Sequence, residues 1–130
     1  MDDRRPILDK DRTYIFVPET CGQARPRIIT GEGVGTIERH DAALTGALFS
    51  RRQTDRPRPL DPIVLRTGGT DITPGTVRGY KACGLLCLDE DDCPPNYHWH
   101  TDVPENCDPD TMRKVTDIFE EAIRIVDAEF

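Results

Sequence analysis

The apolar positions of the chain fall into short, differently spaced runs. In "RTYIFVPET" (12–20) β-branched and aromatic residues follow one another, which predicts a strand ended by Pro18, since proline cannot donate to a sheet ladder. "RPRIITGEGVG" (25–35) predicts a short second strand and then a Gly-rich turn. Over 37–52 the apolar residues Ile37, Leu44, Ala47 and Leu48 recur at helical spacing, with alanines between them, and predict an amphipathic helix. A Pro-rich linker over 56–67 enters a strand at Ile63 to Leu65. Thr73 and Pro74 have the form of an N-cap and first helical residue, so a short helix is expected there, closed by Gly84. "CGLLCLD" (83–89) is a continuous apolar run, the pattern of a strand covered on both faces. Asp108 and Pro109 open the last helix, where Val115, Ile118, Phe119, Ala122, Ile123 and Val126 recur every three or four residues.

The resulting order is strand, strand, helix, strand, short helix, strand, long helix. Such alternation predicts an α/β domain, a layered sheet with helices on its faces, over residues 11–130 behind an N-terminal tail of residues 1–10. A chain of 130 residues is long enough to hold a core without covalent staples.

Composition narrows the function. The formal charge is -7, with 24 acidic and 17 basic residues, which argues against a nucleic-acid partner, since phosphate binding needs clustered Lys and Arg. The basic run Arg51, Arg52, Arg56 and Arg58 reads as a solvated helix end and loop. No run approaches the roughly 20 apolar residues of a membrane span, and "MDDRRPILDKDR" lacks the apolar core of a signal peptide. A cytoplasmic location without membrane partners is expected. Five cysteines, an odd number, favour reduced thiols or a metal site over a disulfide framework.

Candidate chemistry concentrates in "CPPNYHWHTDVPENCDPDT" (93–111). Cys93, His98, His100 and Cys107 offer thiolate and imidazole ligands suited to structural zinc, but the spacing C-x4-H-x-H-x6-C fits no common finger pattern. On the plainer reading Cys93 and Cys107 are small buried apolar residues, as are Cys83 and Cys87 on the apolar strand. Tyr97 and Trp99 would line a pocket or pack the loop. The Gly31, Gly33, Gly35 spacing lacks the Lys-Ser/Thr of a phosphate-binding loop.

Three segments together resemble the C-terminal half of the M28 family of zinc aminopeptidases and carboxypeptidases. "FVPETCG" (16–22) is similar to the family's strand that ends in an acidic zinc ligand shortly before a glycine, and puts Glu19 in the ligand position. "GTDITPGTVRGYKACGLLCLD" (69–89) resembles the loop, short helix and buried strand that follow, with Asp71 in the acidic position. "YHWHTDVPENCDPDTMRKVTDIFEEAIRIV" (97–126) resembles the closing loop and terminal helix, with His100 in the ligand position. The resemblance runs from about residue 10 onward and implies a partial zinc-exopeptidase-like fold, zinc as cofactor, a peptide substrate, Glu19 and His100 as ligands, and Asp71 as a partner orienting a histidine.

The departures from the family matter as much. Its first His-x-Asp ligands and its Glu-Glu pair, which includes the catalytic base, lie upstream of the matching segments and have no counterpart here. Glu120 and Glu121 sit inside the last helix and cannot replace them. Metal-activated hydrolysis needs about three protein ligands, plus a carboxylate to move the proton. The chain is therefore expected to be incomplete or inactive alone, needing a complementing chain or forming a homo-oligomer. Two other functions fit the same residues: a binding or interaction module without catalysis, and a small protein with a structural zinc on Cys93, His98 and Cys107.

Overall fold

The computed structural model describes residues 8–49 and 60–129. Their elements are β1 (Tyr14–Glu19), β2 (Arg25–Glu32), β3 (Glu38–Arg39), α1 (Ala42–Leu48), β4 (Pro62–Leu65), α2 (Thr73–Thr76), β5 (Lys81–Leu88), a 3-10 turn (Pro104–Asn106) and α3 (Pro109–Glu129). The basic run at 51–58 lies outside the described residues.

The five strands form one mixed sheet. Its centre is β5, parallel to β1 on one side and antiparallel to β2 on the other. Strand β2 also pairs with β4 in parallel and with β3 antiparallel. Ile28 and Ile29 pair with both β4 and β5, and Gly31 and Glu32 with both β3 and β4. Strands β3 and β5 therefore share one edge of β2 and β4 takes the other.

Side-chain alternation along β5 divides the core. Cys83, Leu85 and Cys87 face a layer made by Leu44, Ala47 and Leu48 of α1 and by Val115, Ile118, Phe119, Ala122 and Val126 of α3. Phe16 of β1 meets Phe119 edge to face, with centroids 6.1 Å apart. On the opposite face Ala82, Leu86 and Leu88 pack with Ile29 and Ile72, flanked by the half-buried Ile15, Val17, Ile63 and Leu65. Both helices of any length thus lie on one face, and the 66–80 segment with α2 covers the other. The continuous apolar run predicted to be a doubly covered strand is one, and Cys83 and Cys87 are buried within it.

Local chemistry moved several predicted boundaries. Pro18 does not end its strand but pairs with Leu85 inside β1, a strand with no other partner strand among the described residues, where a missing N–H is tolerated. The predicted helix over 37–52 starts only at Ala42: Glu38 and Arg39 join β2, and Asp41 caps the helix by accepting from the Leu44 amide at 2.9 Å. Ile72, not Thr73, precedes α2, and Gly79, at φ 81°, turns the chain towards β5 in place of Gly84. Gly84 lies within β5. The last helix begins as predicted, Asp108 accepting from the amides of Asp110 at 3.0 Å and Thr111 at 3.3 Å. Of its predicted core positions only Ile123 departs, being 51% exposed.

Gly84 is where the layers come closest. A Cβ there would stand 2.4 Å from the Val17 carbonyl oxygen and 2.6 Å from Cδ1 of Ile72. The first neighbour is backbone of the paired strand and cannot swing away. Gly84→Ala is therefore expected to destabilise the fold by about 1–3 kcal/mol, read as a lower urea midpoint at unchanged slope. An unchanged midpoint would show that the contact is slack.

Candidate functional site

Because β1 and β5 run parallel, with Glu19 opposite Leu86, both strands release their following loops at the same end of the sheet. The short turn 20–24 follows β1 and the long loop 89–108 follows β5. The turn is the seat of the loop. Gly22 O accepts from the Asp108 amide at 2.7 Å, Ala24 O from Thr111 Oγ1 at 3.3 Å, and Gln23 Nε2 donates to Pro95 O at 3.4 Å. Gly22 lies so close that an added Cβ would be 3.1 Å from Cys107 Sγ. The seat is strained: Thr20, a β-branched residue, holds φ 42°, and its buried Oγ1 has no hydrogen-bond partner among the described residues.

Glu19 ends β1 beside this strained residue. Its Oε2 accepts from the Asp71 amide at 3.4 Å, while Oε1 has no hydrogen bond among the described residues. The structure thus brings Glu19 and Asp71 together, through the backbone of Asp71 rather than its carboxylate.

A second glutamate holds the same turn from its other side. Glu32, at the end of β2, accepts from the Thr70 amide at 2.9 Å and from Thr73 Oγ1 at 2.6 Å. His40 Nε2 stands 3.6 Å from its Oε1, and His40 Nδ1 donates to the Ile29 carbonyl at 2.8 Å. Both side chains are buried. Burial pushes the Glu32 carboxyl up, but the nearby His40 ring and the hydrogen bonds from Thr73 and Thr70 outweigh it and hold the group at about 2. Nothing in the sequence pattern marks this pair, because Glu32 sits among glycines in a segment that reads as a turn.

The long loop is a succession of turns closed by its own backbone. Asp89 accepts from the amides of Asp91 and Cys93 at its carboxylate, Trp99 N donates to Asn96 O at 2.9 Å, and Asp102 N to Trp99 O at 3.0 Å. Asp92, Asn96 and His98 take positive φ, near 60°. His98 lies against the Tyr97 ring, with centroids 3.9 Å apart. His98 and His100 are exposed, and no ring nitrogen of either takes a hydrogen bond among the described residues. Cys93 and Cys107 are also exposed, which corrects the expectation that they are buried apolar residues.

The other thiols serve the interior. A hydrogen bond with Cys87, and then burial, push the Cys21 thiol well up, and its Sγ donates to the Glu19 carbonyl at 3.1 Å. Burial, helped by the Asp41 charge, raises Cys83 to about 12. Among the described residues no group of three or more His, Cys, Asp or Glu side chains is placed to hold a metal ion, and no helix is long and apolar enough to cross a membrane. Compared with family models, with curated proteins and with solved structures, the chain matches none of them.

The Glu32 pair has a pH signature. Its folded value, about 2, lies below the ordinary 4.5, so its contribution is present above pH 4.5 and is lost as pH falls towards 2. The difference amounts to about 3 kcal/mol. Glu32→Gln is expected to be less stable than the parent at neutral pH, with the two unfolding midpoints converging as pH falls through that window. A constant gap across pH would mean that the carboxylate's charge does no work there.

Proposed function

We propose that this chain is the C-terminal part of an M28-like zinc exopeptidase domain. It supplies Glu19 and His100 as ligands, with Asp71 behind them, to a peptide-hydrolysing site that further polypeptide completes. The supporting observation is the Glu19–Asp71 contact beside strained Thr20, at the sheet end that also releases the histidine loop. Carboxylate oxygen and imidazole nitrogen are ordinary zinc donors. Their number is too small, however, and the described residues hold no metal group of three. Bound zinc would supply water activation in the completed site. This chain brings no general base to that centre, so no hydrolytic step is assigned to it alone. The edge of β1 that faces away from β5 has no partner strand among the described residues. There a complementing segment, from a second chain or from more of the same polypeptide, would add to the sheet.

A structural zinc on Cys93, His98 and Cys107 finds no support in the geometry, since these residues form no such group. A binding role is favoured by one observation, the exposed Trp99.

Zinc titration of chelator-free protein tests the proposal. A single weak site is expected, lost in His100→Ala and weakened in Glu19→Gln, and retained in the Cys93→Ser/Cys107→Ser double variant. Purified alone, the chain should not cleave peptides. Absence of any zinc binding, or binding lost only with the cysteines, would refute the half-site.

A further inference from the structure

We infer that the 93–107 loop is a docking surface for a cationic, arginine-containing peptide segment, which lays a guanidinium on the Trp99 ring within an acidic rim. This inference is independent of zinc and would hold if the metal reading failed.

Its first basis is apolar exposure. Trp99 is 70% exposed, Tyr97 44% and Val103 38%, all within seven residues of one loop. An indole left this open gives the fold little burial. The loop is also preformed. Its turns are closed by Trp99 N to Asn96 O, Asp102 N to Trp99 O, and Asn106 Nδ2 to Thr101 O at 2.8 Å, and it is seated on Gly22 and Gln23. A surface already held in shape loses little entropy on binding.

The second basis is charge, and it selects the occupant. Residues 82–112 contain eight acidic side chains and no Lys or Arg. Several of these acids are already used: Asp92 pairs with Arg27, Asp110 with Arg113, and Asp89 and Asp108 bond backbone amides. Of the remaining four, Glu90, Asp91, Asp102 and Glu105, the last two lie next to the exposed aromatic residues in sequence. They flank Val103, both are exposed, and neither makes an ion pair among the described residues. Asp102 closes the turn that begins at Trp99, so an open aromatic face and unneutralised carboxylates share one short loop. A cation is attracted both by the ring face and by the rim. Arginine suits the combination better than lysine, because its planar guanidinium stacks on the ring and also offers a fork of donors to carboxylates. A second copy of this chain would set one acidic rim against another, at a net charge of -7 on each. A phosphate backbone would be repelled.

Trp99 is the only tryptophan of the chain, so its fluorescence reports the loop directly. The test titrates the full chain with a short, end-blocked Gly-Arg repeat peptide, and with Gly-Lys, Gly-Gln and Gly-Glu counterparts. The arginine peptide should give a saturable change that weakens as salt rises. The lysine peptide should bind more weakly, and the Gln and Glu peptides should not bind. Calorimetry on Trp99→Ala, and fluorescence on the Asp102→Asn/Glu105→Gln variant, should each show a loss of about three- to tenfold in affinity. All three positions are exposed, so both variants should keep the parent's circular dichroism and unfolding midpoint. The inference is overturned if the arginine peptide gives no saturable response, if the Gln peptide binds equally well, or if the carboxylate variant binds unchanged. It also fails if the peptide-free fluorescence shifts with protein concentration in step with dimer formation, since a second copy would then be the occupant.

Discussion

The Glu32 carboxylate is the interaction on which the arrangement of the other parts depends. It is buried at the end of β2, where an unpaired charge would cost several kcal/mol. It survives there because three separate parts of the chain converge on it: His40 after β3, the Thr70 amide, and the Thr73 hydroxyl at the start of α2. Each partner is thereby placed. His40 brings β3 and the α1 cap to the sheet, and from Asp41 the chain continues the link through its amide to Ala82 O. Thr70 and Thr73 hold the turn that drops Ile72 onto Gly84. The same turn carries Asp71, whose amide reaches Glu19 across the face. One buried charge therefore ties the end of the sheet where Lys81 begins β5 to the opposite end, where the candidate site lies.

How much of this was legible follows from what kind of signal each feature leaves. Burial on both faces leaves a continuous apolar run, and β5 was read from it. A capped amphipathic helix leaves Asp-Pro and a three-four spacing, so α3 was read from Asp108 onward. Features set by long-range partners left no such trace. Pro18 signals a strand end only if both edges need donors, and β1 has one described neighbour. Ile37 looks helical by spacing, but Gly31 and Glu32 draw Glu38 and Arg39 into a strand pair before Asp41 can cap. Gly84 reads as a helix stop, whereas its absent side chain admits Ile72.

The candidate site was legible in part for the same reason. Local segments carry their own signature, and Glu19, Asp71 and His100 were singled out because the segments around them resemble those of a peptidase family. Their mutual placement is a matter of topology. Parallel pairing of β1 with β5 brings the two loops to one end, and no spacing along the chain reports whether two strands pair in parallel. Glu32 and His40 were missed because the Glu32 carboxylate is satisfied by Thr70 and Thr73, far along the chain, and none of these residues carries a motif.

The two roles proposed for the 93–107 loop would make demands that are usually opposed. A metal half-site needs imidazole nitrogens left without partners, and a docking surface needs an aromatic ring left without cover. Ordinary loops remove both by folding side chains back on themselves. Here the backbone does the folding instead. Left-handed residues at Asp92, Asn96 and His98, with turn bonds from Asn96 to Trp99 and from Trp99 to Asp102, satisfy the main chain and leave the side chains outward. Proline at 94, 95 and 104 lowers the entropy that such a conformation must overcome. The loop stays open because its order comes from peptide groups and from its seat on the 20–24 turn, not from a core of its own. Strain at Thr20 belongs to that seat, and the carboxylate of Glu19 stands one residue away. A polypeptide that docks on the loop and one that completes the sheet beside β1 would therefore approach the same end of the molecule.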